Sequence, residues 1–272
     1  MELIKAILLG IVQGLTEFLP ISSSGHLVIG SQLLAFNDPG IAFEVLLHLG
    51  TLLAVVVAFR RDILIMVKAF FSSQSQRQED ELLQQAFRWN FYIILATLPA
   101  VFVGLFLKDH IEQIFNTTLI TYVMLAVTGT IMLLTLRLQK RGGQVTASRS
   151  LLIGIAQAIA ILPGLSRSGS TIFTGMVLGV QRETAARFSF IMSIPAILGA
   201  AVLKLSDMIA SPPAQNELLY LGAGTLASAI SGYFAIILLM RVVRKGQLHW
   251  FGYYCLMVSA AGIGWTFFHS LS

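Results

Sequence analysis

Charge is what this sequence has least of. Only 11% of its 272 residues are Asp, Glu, Lys or Arg, against about a quarter in soluble chains. The charged surface that keeps a soluble domain of this size in water is missing. Cysteine is nearly absent as well. Cys255 stands alone, which excludes an internal disulfide and leaves no cysteine partner for a metal site. Strands alternating polar and apolar residues do not recur, so a membrane β-barrel has no support. A secretory leader is not expected: Lys5 is the only early positive charge, Glu17 interrupts the first apolar run, and no small-residue cleavage site follows.

Apolar residues fill the space. They make up 56% of the chain, the mean hydropathy is +0.81, and runs of about 20 recur along it. In hydrocarbon every backbone polar group must be satisfied within its own segment, so the expectation is an all-α integral membrane protein with membrane lipids around it. The net charge of +5 and pI near 9.6 then need no nucleic acid, because basic residues gather in cytoplasmic loops of membrane proteins.

The apolar segments fall at roughly 2–19, 21–36, 41–59, 86–107, 118–138, 150–162, 168–180, 184–205, 217–240 and 247–268. A weaker stretch, about 62–71, carries Asp62 and Lys68 and reads as interfacial. The run from Ser72 to Gln85 reads as a solvated loop, Trp89, Trp250 and Trp265 as interfacial anchors, and the small residues from Gly222 to Gly232 as a close-packing stripe.

The chain repeats itself. GIVQGLTEFLPISSSG from Gly10 matches GIAQAIAILPGLSRSG from Gly154, 144 positions on, with Gly10/Gly154, Gln13/Gln157, Ser22/Ser166, Ser24/Ser168 and Gly25/Gly169 identical. The segments at 150–162 and 168–180 are too short for a core of about 30 Å at about 1.5 Å per residue. Broken by Pro163-Gly164, they suit a re-entrant hairpin, and the repeat predicts the same of 2–19 with 21–36. The expected architecture is a single membrane domain over 1–272, built of repeats at about 1–138 and 145–272. Each half holds a hairpin and three transmembrane helices, and an odd number of crossings inverts one half relative to the other.

Charge gives an orientation. On the side holding the termini and the loops near 37–40, 108–117 and 206–216 lie 3 basic residues, Lys5, Lys108 and Lys204. On the other side lie 14, and Arg167 completes the total of 18. The basic side is then cytoplasmic and both termini are external.

TEFLPISSSGH, Thr16 to His26, thus dips in from outside, and PGLSRSGST, Pro163 to Thr171, from the cytoplasm. Arg167 is the only basic residue in the interior, where it needs a partner: Glu17 or a bound anion. The set suits phosphate. Arg167 offers a planar fork of donors, the backbone N–H groups at a helix start near 168 face the same place, and the hydroxyls add neutral donors. His26 can be a nucleophile or a proton donor. Glu17 can orient His26, act as a base, or hold a divalent cation. Gln13 and Glu17, four apart, share a helix face. Each feature also has a structural reading: serines bonding to their own backbone, a structural histidine, a buried Glu17–Arg167 pair. Glu44 and His48, one turn apart, fit a cavity wall or plain structure equally.

The stretches Gln13–His26 and Pro163–Thr171 resemble the signature motifs of bacterial undecaprenyl-diphosphate phosphatases, the bacitracin-resistance proteins, and the likeness covers essentially the whole chain. The resemblance implies hydrolysis of undecaprenyl diphosphate to undecaprenyl phosphate and inorganic phosphate, recycling the lipid carrier of cell-wall synthesis. It places Glu17, Ser23, His26 and Arg167 at the centre. Gln13, Ser22, Ser24, Gly25, Ser166, Ser168, Gly169 and Thr171 fall to substrate binding. Ser23 is the expected nucleophile with His26 as acid/base, and His26 is the alternative nucleophile. Mg²⁺ or Ca²⁺ is implied as cofactor, with Glu17 as its ligand; Gln13 stands where a second acid of the motif can be, which weakens a two-carboxylate grip. A polyprenyl diphosphate is the implied partner, the cytoplasmic (inner) membrane the implied location with the site opening outward, and a homodimer is left open. A transporter or lipid flippase on an inverted repeat is the rival reading.

Overall fold

The computed structural model describes residues 2–34, 36, 40–107, 111, 117–210 and 217–270. Parts of the loops expected near 37–40, 108–117 and 206–216 lie outside the described residues. Among the described residues the only strand-like feature is an isolated bridge between Gly143 and Val180; the rest is helix and turn.

The helices are α1 (Glu2–Phe18), α2 (Ser23–Leu33), α3 (Gly40–Ala58), α4 (Arg60–Phe71), α5 (Gln74–Glu79), α6 (Glu81–Phe106), α7 (Thr118–Leu134, ending in a 3₁₀ turn Thr135–Arg137), α8 (Ala147–Ile159), α9 (Arg167–Val177), α10 (Arg182–Ala210), α11 (Leu218–Lys245) and α12 (His249–Ser270). Among the described residues four are long and apolar enough to cross a bilayer: α6, α7, α10 and α11. α3 and α4 pass together as a fifth, bent by 78° at their junction. The sixth expected segment is α12, 22 residues long. Leu64, Phe71, Val202 and Phe234 are among many large apolar side chains left exposed on the outer helices. In lipid such a surface is the solvated one.

The second hairpin is short as expected, and the first, whose expected segments were long enough to span, has one short arm in α2. α1 and α2 have 17 and 11 residues, α8 and α9 have 13 and 11, and a crossing needs about 20. α2 starts at Ser23, later than the expected 21, for a local reason. Ser22 has φ +68°, in the left-handed region, so a helix cannot run through it. Its hydroxyl accepts from Gly25 N at 3.4 Å, and Ser166 accepts from Gly169 N at 3.2 Å, so repeat-related serines cap both second helices.

Two expectations need correction. The run Ser72–Gln85 is not all loop: a Ser73–Gln76 capping box starts α5, and Asp80 accepts from the backbone N–H of Leu82 and Leu83 to start α6 at Glu81. The stretch near 62–71 forms α4, in which Met66 and Ala69 are buried while Leu64, Val67 and Phe71 are exposed, and its 12 residues, bent 78° from α3, leave the interfacial reading standing. Trp89 is not an interfacial anchor. It is 7% exposed and meets Phe188 edge-on at 5.3 Å, whereas Trp250 and Trp265 remain exposed.

Small residues set the closest contacts. α1 lies along α11, where a Cβ on Gly10 would sit 2.3 Å from Gly224 O and one on Gly14 2.0 Å from Ser231 Oγ. α8 lies along α6, where a Cβ on Gly154 would sit 2.2 Å from Ala96 O. α3 also packs along α11, α10 along α6, and α7 along α12. Gly10→Ala therefore forces backbones apart and is expected to cost about 1–3 kcal/mol, read as a lower midpoint of thermal unfolding in detergent. Gly104→Ala meets no atom within 4 Å and should leave that midpoint unchanged or slightly raised.

Candidate active site

Each hairpin turns on residues that no longer hold helical geometry. In the first, Leu19 and Pro20 follow α1, Ile21 N–H donates to Leu19 O at 2.7 Å, and Ser22 reverses the chain. In the second, Gly164 has φ +89°, and a Cβ there would lie 2.1 Å from Thr121 O, so only glycine fits. Thr128 of α7 pins this turn. Its hydroxyl donates to Gly164 O and accepts from Ser166 N–H, both at 3.0 Å.

The two tips touch. Ser168 donates to Leu19 O at 3.3 Å, Gly164 N–H donates to Ser24 Oγ at 3.4 Å, and Gly169 packs against Pro20. Ser22 and Ser24 share a hydrogen bond at 3.2 Å, as do their repeat counterparts Ser166 and Ser168. Cys255 of α12 adds its thiol to Pro20 O at 3.7 Å.

Glu17 is the hub. Its side chain is 5% exposed and ends α1 at the junction. Oε1 takes a charged hydrogen bond from Arg167 Nη2 of the other tip. Oε2 accepts from Gln13 Nε2 at 2.9 Å and from Ser23 Oγ at 2.7 Å, and His48 Nε2 lies 3.8 Å away. So Gln13, Glu17, Ser23 and Arg167 come together as one cluster, and His48 of α3 joins it. Glu44, one turn before His48, pairs with Lys204 at 3.1 Å. The Arg167 side chain is 23% exposed, so it is not sealed from a ligand as Glu17 is.

His26 faces another partner. Nδ1 lies 2.8 Å from Ser22 O, and Nε2 lies 2.8 Å from the Tyr254 hydroxyl of α12. A carbonyl only accepts, so Nδ1 carries the proton and Nε2 holds the lone pair of the neutral ring. Glu17 thus orients Ser23 and Arg167, not His26. Thr171 is fully buried, and its hydroxyl bonds to Arg167 O at 2.8 Å and to Ser189 of α10.

Thr128, Ser189 and Tyr254 carry no signal in the sequence. A lone threonine or serine in an apolar helix ordinarily bonds to its own backbone. Tyr253-Tyr254 beside Trp250 looks like an interfacial belt.

The cluster suits an anion that reacts. Arg167 can grip phosphate oxygens, and a hydroxyl already hydrogen-bonded to a buried carboxylate is an activated nucleophile. Among the described residues no three His, Cys, Asp or Glu side chains group into a metal cage. A hard cation needs no cage if it is shared with substrate phosphates through one carboxylate. Glu17 is that carboxylate, and the buried amide oxygen of Gln13 is a second oxygen donor with no hydrogen-bond partner. The residues fit a Mg²⁺ or Ca²⁺ ion held in that shared way.

Comparison with known proteins identifies the family. Residues 6–261 match the family described as Bacitracin resistance protein BacA. The chain is 44% identical to the undecaprenyl-diphosphatase of Methanobrevibacter smithii, with 95% of each chain covered. It is 42% identical to that of Korarchaeum cryptofilum, over 96% of this chain and 98% of the relative. With undecaprenyl-diphosphatase 1 of Shouchella clausii it shares 37%, over 95% of each. With a match that leaves only the chain's ends outside it, the protein belongs to the BacA family of bacitracin resistance proteins.

Proposed function

We propose that this protein is an undecaprenyl-diphosphate phosphatase of the cytoplasmic membrane, and that its activity confers bacitracin resistance. The observation that carries the reading is the hydrogen bond from Ser23 to Glu17 beside Arg167. A carrier or flippase has use for an arginine at its midplane but no need of a hydroxyl aimed at a buried carboxylate.

The reaction follows from the contacts. In the resting site Glu17 neutralises Arg167. An incoming diphosphate competes for the guanidinium and draws it off the carboxylate. Glu17 then keeps Ser23 and takes its proton as Ser23 Oγ attacks the terminal phosphorus. The bond from that phosphorus to the bridging oxygen breaks, and polyprenyl phosphate leaves. Water then cleaves the phosphoserine and releases inorganic phosphate. His26, one turn along α2 from Ser23, is the imidazole placed to act as base for the water. Gln13 fixes the Glu17 carboxylate, and the backbone N–H groups at the start of α9 face the phosphate. A divalent cation bound between Glu17 and the diphosphate would neutralise charge on the departing phosphate.

The polyprenyl tail lies among the outer helices, whose exposed surface is apolar. The site opens to the external side, a reading supported by the 14 basic residues counted opposite it. We also propose that the halves are inverted repeats. Exchanging them maps the α1–α11 packing onto α8–α6, α3–α11 onto α10–α6, and α7–α12 onto itself.

Purified protein in detergent should release phosphate from farnesyl or undecaprenyl diphosphate when Mg²⁺ or Ca²⁺ is supplied; no release under those conditions would sink the proposal. Arg167→Ala should lower kcat about 10²–10³-fold, the loss typical of one charge-stabilising donor, without loss of the folded monodisperse peak. Near-normal turnover would remove Arg167 from the chemistry. Stripping divalent ions with EDTA should abolish release and adding Mg²⁺ should restore it; undiminished activity in EDTA would exclude a required cation.

A further inference from the structure

Among the described residues the hydroxyl of Tyr254 is the one group from α12 bonded to the ring of a proposed acid/base, and it reaches it from outside both hairpins. Its oxygen lies 2.8 Å from His26 Nε2. The two rings are stacked, 5.6 Å between centroids and 15° between planes. The contact is held in place on either side. Cys255, the next residue, meets Pro20 O at the first tip, and Ser259, about one turn further, donates to Tyr122 O of α7 at 2.7 Å. α12 is therefore fixed against the first tip and against α7 where Tyr254 projects.

The partners divide the imidazole between them. Ser22 O can only accept, which keeps the proton on Nδ1. The neutral Nε2 can only accept, and the Tyr254 hydroxyl donates to it. When Nε2 takes a proton it becomes a donor, and the same phenol oxygen can accept. A tyrosine serves both protonation states without moving; a phenylalanine serves neither. Because a catalytic group must be held close to its productive geometry, a second anchor on this ring bears on rate more than on binding.

We propose that Tyr254 is a positioning residue of the phosphatase site. It acts through His26: its hydroxyl occupies the Nε2 lone pair, so a proton reaches Nε2 across that hydroxyl, and the contact fixes the plane of the ring. The proposal rests on the phosphatase reading for its kinetic consequence but not for its geometry. Tyr254 touches neither Arg167 nor Ser23 in any described contact, so it lies outside the phosphate grip.

The test is Tyr254→Phe, which keeps the stacked ring and removes only the oxygen. With farnesyl diphosphate as substrate, kcat should fall about tenfold while KM stays within about twofold, a modest part of the 10²–10⁴ that general acid–base catalysis contributes. Nitrogen NMR of ¹⁵N-histidine-labelled protein supplies a readout that needs no turnover, with the His26 signals assigned by their loss in His26→Gln. Wild type should show a single neutral tautomer protonated at Nδ1, and Tyr254→Phe the same tautomer, set by Ser22 O, with its Nε2 signal shifted by loss of the hydrogen bond to the lone pair. An unchanged kcat in Tyr254→Phe overturns the proposal, as does a wild-type His26 protonated at Nε2. If the wild type releases no phosphate, the phosphatase reading falls, and the NMR result alone decides whether Tyr254 governs the ring.

Discussion

An arginine between two hairpin tips inside a membrane protein has to be answered by an anion. Leaving it alone there costs several kcal/mol, and the cost of losing either partner of a buried pair is similar. Glu17 gives that answer in this protein, from the opposite tip. Much of the surrounding structure exists to bring the two groups together. Ser22 and Gly164, both at positive φ, turn the chain just where each helix must stop. Thr128 and Cys255 hold those turns from α7 and α12. The glycines of α1 and α8 let both hairpins sit against α11 and α6 at backbone contact, which sets how deep each tip reaches.

The same pair carries the proposed chemistry because it is replaceable. A buried ion pair stabilises a fold poorly compared with apolar packing of equal volume. It serves better as a place holder that a stronger anion can displace. A diphosphate offers more charge and more acceptor oxygens to a planar fork than one carboxylate does. When it takes Arg167, Glu17 is left with Ser23 and Gln13, and its charge is free to accept a proton. The resting contacts are thus the reactive contacts with one partner exchanged.

Much of this was legible in the sequence. Length and hydropathy identified the helices, and the Gly10/Gly154 repeat showed that two polar stretches belong together. Arg167 and Glu17 stood out because an apolar chain has few reasons to keep them. What was hidden follows physical lines too. Apolar runs placed the helix start near 168 but not the turn at Ser22 that delays α2 to Ser23, because a left-handed serine leaves no mark on hydropathy. Trp89 was misjudged because an indole is as apt to fill a core as to mark an interface. Tyr254 and Thr128 could not be found, since their partners lie 228 and about 36–38 residues away in the chain and nothing in their own surroundings sets them apart.

The repeat also explains how one scaffold makes an asymmetric site. At the offset of 144, Ser23 corresponds to Arg167, His26 to Ser170, and Glu17 to Ile161. The serine-and-glycine frame is common to both tips; the Ser23 hydroxyl, the Glu17 carboxylate and the His26 imidazole sit on one and the Arg167 guanidinium on the other. The most direct test of this division is the binding of a non-hydrolysable methylene-bridged farnesyl diphosphonate, measured in EDTA so that no cation takes part. Displacement of Glu17 from Arg167 predicts that Arg167→Ala binds at least tenfold more weakly than wild type and that Glu17→Gln binds as tightly or more tightly. Equal binding by wild type and Arg167→Ala, or weaker binding by Glu17→Gln, would contradict it.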